Sequence, residues 1–345
     1  MPVHGVDPVT QPHCPQTVAV IGAGLAGLAC ADALQKAGKA VTVYDSADAV
    51  GGRMHTCAGQ GWQCDDGAQY FTARDPDFAA VVEAWMAAGL AARWPARVAS
   101  WDGTTLRPTQ SALARYVGVP GMSAPARALA ASLDVRMRAG VQALERSGTR
   151  WAVNIGTATA ATTQVVDAVL LAVPAPVAAA LLADHAPALA QLARSAQMHP
   201  AWAVVLRFAT AVDPGYDALF VNAGPLRWVA RDSSKPARTG AETWLLHATA
   251  SWSQAHADAT PAQVITSLLP ALAVLGLPLP QACDARRWGA ASTDPPRQIG
   301  YVWDAGLGLG LCGDWLAGGK VEGAWQSGTA LARAVGSTAR EGAAS

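Results

Sequence analysis

Short β-branched runs and helix-spaced apolar stretches alternate along the chain. Thr17 to Ile21 is a β-branched run closed by glycine, and LAGLACADALQKAG then repeats apolar residues at helical spacing until Gly38 stops it. AVTVYD follows as a second buried strand. Strand, glycine turn, helix, strand is the opening βαβ unit of a doubly wound sheet. Further on, the pattern predicts a helix from Asp75 to about Ala92, strands around the Asp102-Gly103 turn, and a helix in PGMSAPARALAASL with Ser123 as its N-cap. A strand pair around Val141 and RWAVNI leads into DAVLLAVPAP, a buried strand ended by prolines. Residues 200 to 208 and 242 to 250 read as strands of a separate sheet, and 261 to 274 as a helix. LGLGLCGDW is a glycine-punctuated strand, and VEGAWQSGTALARAV closes the chain as a helix.

With 345 residues the chain exceeds what one compact core usually holds. The sheet-like block from roughly 195 to 300 lies between two α/β segments, which implies a dinucleotide domain split in sequence around an inserted substrate domain. The expected segments are 16–74, 116–178 and 299–338 for the first, and 75–115 and 179–298 for the second. Residues 1–15 and 339–345 are expected to be flexible tails.

Formal charge is zero and no block of like charges occurs, so the footprint of a nucleic-acid partner is missing and the ligand is expected to be small. The six cysteines form no C-x-x-C pair and are too sparse for a secreted disulfide scaffold, which fits a reducing cytoplasm. No segment reads as a signal peptide or a membrane span.

Gly22, Gly24 and Gly27 supply the tight turn, the close backbone approach to a pyrophosphate and the helix-on-strand packing; Asp45 ends the second strand, where its carboxylate can accept from a ribose hydroxyl. That motif suits NAD and FAD equally, since both share the ADP half. Later stretches favour a flavin. VGGRMHT sets Gly51 and Gly52 beside Arg53, adding backbone donors and a cation for a pyrophosphate. DDGAQYF runs from a glycine turn into aromatics, CGDW ends a strand in an exposed acid, and GGKVEGAWQSG starts a helix whose free N–H groups would stabilise negative charge on a flavin's pyrimidine edge. The seven histidines show no metal-ligand spacing and no acid/base constellation stands out. Trp228, Trp244, Trp252, Trp288 and Trp303 crowd the expected substrate domain, where a flat ring could stack on one of them, with Trp288 favoured.

The set VIGAGLAGLACADAL, VYDSADAVGGRMHT, DDGAQYFTARD, GVPGMSAPARALA, LLAVPAP, LLHATASWS and CGDWLAGGKVEGAWQSG resembles the bacterial branch of the renalase flavoproteins, within the amine-oxidase-like FAD superfamily. The resemblance covers nearly all of residues 16 to 335. It implies an α/β fold with a doubly wound, Rossmann-like FAD domain of the p-hydroxybenzoate-hydroxylase type and an inserted α+β substrate domain, with FAD held non-covalently. It assigns the cofactor to Gly22, Gly24, Leu25, Ala26, Gly27, Asp45, Gly52, Arg53, Ala68, Gln69, Tyr70, Val141, Asp314, Val321, Glu322, Gly323 and Ala324, with Gln69 and Tyr70 by the flavin ring and Val141 near the adenine. Tyr70, His247 and Trp288 are implied as catalytic or substrate-facing. The chain departs from relatives at Asp45, where many carry glutamate, at Lys320, where close ones carry arginine, and at Arg286, where some carry histidine. The implied activity is oxidation of dihydro-NAD(P) reduced at ring position 2 or 6, with O2 as acceptor. A true amine oxidase is the nearest rival; its lysine near the flavin finds no counterpart among Lys36, Lys39, Lys235 and Lys320 within the strands between Glu242 and Tyr301. A non-catalytic FAD- or NAD(P)-binding module and a nicotinamide-dependent dehydrogenase are the others.

Overall fold

The computed structural model describes residues 15–110, 113–156 and 160–341, so all but Pro15 of the expected N-terminal tail lies outside the described residues. At the other end, the last helix runs from Val321 to Glu341, through the point where a tail was expected to begin.

Among the described residues two large sheets organise the chain. The first has six strands in the order Val302–Asp304, Leu309–Leu311, Ala168–Leu171, Thr17–Ile21, Ala40–Tyr44, Asp134–Arg136. From Leu309–Leu311 to Asp134–Arg136 the pairings are parallel, and only the Val302–Asp304 edge is antiparallel. Thr17–Ile21 sits between Ala40–Tyr44 and Ala168–Leu171. The chain leaves its carboxyl end in one direction first and reaches the other neighbour only later, which opens the crevice where doubly wound sheets take ligands. Both faces are covered, since Val18, Val20, Val43 and Leu170 pack with the first helix, Leu25–Lys36, while Ala19, Ile21, Val169 and Leu171 pack with Trp151 and Trp315. This is the mixed α/β, Rossmann-like fold the sequence implied.

The second sheet has seven strands in the order Ala282–Thr293, Met198–Phe208, Glu242–Ala248, Leu226–Arg231, Ala218–Val221, Val98–Trp101, Leu106–Pro108. Period-two alternation gives it two distinct faces. Trp202, Val204, Leu206, Trp244 and Leu246 face the helices Pro261–Leu268 and Pro270–Val274. Ala203, Val205 and Leu245 face the hairpin strands Cys57–Gly59 and Trp62–Cys64, which belong to the N-terminal part of the chain.

Several boundaries differ from the sequence reading. The helix expected from Asp75 ends at Ala87, because residues 91–93 pair with Tyr116–Gly118 as a strand. The expected 261–274 helix breaks at Leu269, before Pro270, which cannot donate the next helical hydrogen bond. Ser123 makes no side-chain cap to Ala124–Ala130 and lies in helical backbone itself. The helices Ala175–Leu182 and Pro187–Arg194 bury Ala178, Ala179, Ala190 and Ala193 in the core of the first sheet, so by packing the crossing into the second unit falls near Met198 and not at 179. No helix of the described residues is long and apolar enough to cross a membrane.

Candidate functional site

The first helix begins at Gly24 with no side-chain cap and no acidic residue in its first turn, so its free N–H groups keep their positive field. The turn before it is held by Gly22, whose φ of 110° excludes ordinary side chains and whose N–H donates to the Tyr44 carbonyl. A Cβ on Gly27 would lie 1.9 Å from the Gly22 carbonyl oxygen, whereas one on Gly24 would meet nothing within 4 Å. Gly27 therefore serves packing, and Gly24 borders open space that a cofactor can enter. A second glycine turn zips onto the first: Gly51 donates to the Ala23 carbonyl at 2.9 Å and bridges Gly24. Gly52, at φ 54°, lies against Gly24.

Asp45 accepts from the Ala23 N–H at 2.7 Å and the Ala47 N–H at 2.8 Å, fixing the loop while keeping further lone pairs for a ribose hydroxyl. Ala139 donates to the Asp45 carbonyl at 2.8 Å, which brings the following Val141 strand, Gly140–Ser147, alongside that end of the crevice. The opposite chain end arrives through helix packing. A Cβ on Gly328 would lie 2.1 Å from the Ala26 carbonyl oxygen, so the last helix crosses the first at its opening turn. Val321, Ala324 and Trp325 join Leu25, Ala68, Tyr70 and Phe71 in one apolar cluster. Gly323 is required there, since its Cβ would sit 1.7 Å from the Ala317 carbonyl oxygen.

Four expected cofactor contacts are otherwise engaged. Asp314 is not an exposed acid; it is 7% exposed and takes a bidentate pair from Arg53 at 3.0 and 2.5 Å. That pair ties the 53 turn to the end of the Leu309–Leu311 strand, and it already occupies the cation assigned to a pyrophosphate. The Glu322 carboxylate accepts from the Arg74 and Asp75 N–H groups, each at 2.7 Å. It therefore leaves only its backbone to the helix start. Gln69 turns away from the crevice, donating to the Asp65 and Gly67 carbonyls and accepting from Lys235 Nζ at 3.3 Å.

Lys235 belongs to a buried ion cluster that the sequence reading did not find. Its ammonium donates to Asp65 at 2.9 Å and to Gln69, and is ion-paired with Asp232 at 2.6 Å, with no exposure of the lysine or either carboxylate. Arg238 adds a second cation on Asp65 at 2.5 Å. Burial pushes the Asp65 carboxyl up, but Lys235 and Arg238 outweigh it and hold it below its ordinary range. Asp232, with poorer donors, is raised by burial.

The sheet face turned to this cluster carries the residues expected on the substrate side. Trp228, His247, Ala203 and Arg286 lie in register as one row across four strands. The Asp66 backbone lies over that row. Its carbonyl accepts from Trp288 Nε1 at 2.8 Å and lies 3.3 Å from His247 Nε2, while its carboxylate meets His55 at 2.5 Å and Arg286 at 3.4 Å. His247 and Trp288 are thus brought together, but each commits a ring nitrogen to positioning the 65–71 segment. Tyr70 stands at the other end of the face, its ring 5.6 Å from Trp228.

Burial, with Arg227 nearby, lowers the His247 pKa to about 4, so the imidazole is neutral at pH 7. A histidine depressed from 6.5 to about 4 binds its proton more readily in the unfolded chain. Native stability is therefore undiminished above pH 6.5 and falls as pH drops toward 4, by about 3 kcal/mol in all from this group. Unfolding of His247→Gln measured from pH 7 to pH 4 is expected to show an acid loss smaller by about that amount; an unchanged acid limb would contradict the buried neutral state.

Residues 20–85 match the NAD(P)-binding Rossmann-like domain, and residues 85–336 match the flavin containing amine oxidoreductases. The chain is a flavin containing amine oxidoreductase by family. Polyamine oxidase 4 of Oryza sativa subsp. japonica is 45% identical over 65 residues, 18% of this chain and only 13% of that protein. In structure the chain is similar to a putative protoporphyrinogen oxidase from Exiguobacterium sp. 255-15, with a TM-score of 0.76 at 14% identity over 93% of this chain and 98% of that one. It is also similar to cyclohexylamine oxidase from Brevibacterium oxydans IH-35A, with a TM-score of 0.73 at 16% identity over 94% and 100%. These likenesses carry the fold alone.

Membership of the flavin amine oxidoreductases implies FAD, and the residues fit it. The uncapped first helix, the open space at Gly24, the spare lone pairs of Asp45 and the start of the last helix line one crevice in the order that a dinucleotide with a flavin end requires.

Proposed function

We propose that the protein holds FAD non-covalently and oxidises dihydro-NAD(P) isomers reduced at ring position 2 or 6, giving NAD(P)+ with O2 reduced to H2O2. FAD, when bound, supplies the two-electron acceptor that oxygen regenerates. The observation that carries the reading is that the lysine, the carboxylates and the histidine around the substrate face are already engaged. Lys235 is hydrogen-bonded to Asp65 and Gln69, ion-paired with Asp232, and has no exposed surface. The Asp66 carboxylate holds His55 and Arg286, and the Glu322 carboxylate holds two backbone N–H groups. His247 is neutral, with Nε2 on the Asp66 carbonyl.

A misreduced dihydropyridine becomes aromatic by losing hydride alone, so it asks the protein for orientation and exclusion of water and for no base. An alkylammonium substrate must also lose a proton, and Lys235, Asp66, Glu322 and His247 are each committed elsewhere. Trp288 and Tyr70, both only partly buried, supply flat surfaces on which a pyridine ring can be oriented.

Anaerobic mixing of the FAD-loaded protein with each dihydro-NAD isomer, and separately with putrescine and cyclohexylamine, tests the reading through the flavin absorbance band. Rapid bleaching by an isomer and none by the amines is expected. Bleaching by amines alone would replace the reading with amine oxidation, and no bleaching by either would leave a cofactor-binding module.

A further inference from the structure

One side chain on the substrate face is aimed there by a defect in the sheet. On the strand Leu226–Arg231, Leu226 and Val229 face the helical layer, whereas Trp228 and Ala230 face the site. Regular alternation cannot place both 226 and 229 on one face. The register with Glu242–Ala248 shows why: Leu226 pairs with Ala248 and Trp228 with His247, leaving Arg227 as an extra residue. Such a bulge turns a side chain out of the alternating pattern, and bulges recur beside functional sites. Arg227 is exposed, and the next residue, Trp228, pairs with His247 across the sheet and has its ring 5.6 Å from that of Tyr70.

Among the described residues Arg227 makes no ion pair or hydrogen bond. The Tyr70 ring has a second cation, Arg115, whose Cζ lies 5.3 Å from the ring centroid and whose buried Nε has no acceptor. Trp228, 5% exposed and beside the same ring, also has a buried N–H without an acceptor. Cations elsewhere have carboxylates: Arg286, on this face, has Asp66, and Arg53, in the nucleotide crevice, has Asp314. The neighbourhood of Tyr70 thus has positive charge and donors in excess, a deficit that an anion would fill.

We infer that Arg227, together with Arg115, forms an anion clamp beside Tyr70 that takes a phosphate of the substrate and selects phosphorylated pyridine nucleotides. A guanidinium fork matches phosphate oxygens two at a time, and the same charge repels alkylammonium ions. The clamp rests on the dihydro-NAD(P) reading and sharpens it by assigning recognition of the nucleotide phosphate to a named residue.

Nicotinamide mononucleotide and nicotinamide riboside differ by that phosphate, so their dissociation constants on the FAD-loaded protein, read from the flavin spectrum or tryptophan fluorescence, isolate the contact. The wild type is expected to prefer the mononucleotide, Arg227→Gln to lose about tenfold to a hundredfold of that preference, and Arg227→Lys to keep part of it. Binding of the riboside should not change, and FAD content and circular dichroism should match the wild type. Equal weakening of both ligands, or no change in either, would overturn the clamp. With the isomers oxidised and phosphate discrimination unchanged in Arg227→Gln, the clamp alone falls. Oxidation of amines in place of the isomers removes the parent reading and the clamp with it.

Discussion

Replacing Lys235 with methionine is expected to destabilise the protein by about 3–5 kcal/mol, the usual cost of removing one partner from a buried ion pair. The side chain has no exposed surface and stands between two carboxylates that have none either. Methionine fills similar volume, so the loss measures charge and hydrogen bonding more than a cavity. Asp65 keeps Arg238, the Thr56 hydroxyl at 2.7 Å and the Met122 N–H at 2.9 Å, whereas Asp232 retains only Arg238 at 3.6 Å. The double variant Lys235→Met with Asp232→Asn should therefore recover part of the loss, because it removes the charge left without a cation.

The pH dependence has a definite sign. Asp65 is held below its ordinary value of 3.8, so its contribution is complete above that value and is lost as pH falls through the lowered one. Lys235 is raised from 10.5 because its two aspartates outweigh burial, so its contribution is present below 10.5 and is lost only as pH rises through the raised value. Urea unfolding at pH 7 with FAD concentration fixed measures the difference between variants. Equal stability of Lys235→Met and the wild type would refute the account.

What the sequence made legible and what it hid divide along physical lines. The strand Thr17–Ile21, the helix Leu25–Lys36 and the strand Ala40–Tyr44 are local, and their glycines have fixed duties, so the nucleotide crevice could be read from one contiguous stretch. The closing helix could be read for the same reason. The cluster of Asp65, Asp232, Lys235 and Arg238 could not, because RDSSKPAR has the composition of a solvated turn; only the pairing of 65 with 235 across the tertiary fold shows those charges to be buried. The signal available was scarcity, since four lysines serve 345 residues and one of them follows a strand as apolar as LRWVA. Arg227 was hidden more deeply. Its orientation depends on a register shift between two strands, and a single strand read by itself gives the residue the wrong face. His247 and Trp288 were named separately; that they meet at one acceptor could not be read, because it is the Asp66 backbone carbonyl, which no side-chain pattern announces.

Alanine at Gly24 and alanine at Gly27 are expected to weaken flavin retention for different reasons, and the contrast tests the crevice most directly. At Gly24 φ is −73° and a Cβ meets nothing within 4 Å, so the fold accepts the methyl group, which then stands where the backbone must approach a pyrophosphate. FAD affinity should fall by tenfold or more, about 1.4 kcal/mol, with the unfolding free energy of the apoprotein unchanged. At Gly27 the same methyl group meets the Gly22 carbonyl oxygen at 1.9 Å and the Ala172 side chain at 3.1 Å, so helix and strand must separate. Forced overpacking of this kind costs about 1–3 kcal/mol, and the apoprotein should lose that stability along with its flavin. Titrating each apoprotein with FAD, beside urea unfolding without it, separates the two effects. Retention of normal FAD affinity by Gly24→Ala would remove the open space beside that residue from the binding site. The uncapped start of the first helix would then need another anion to explain it.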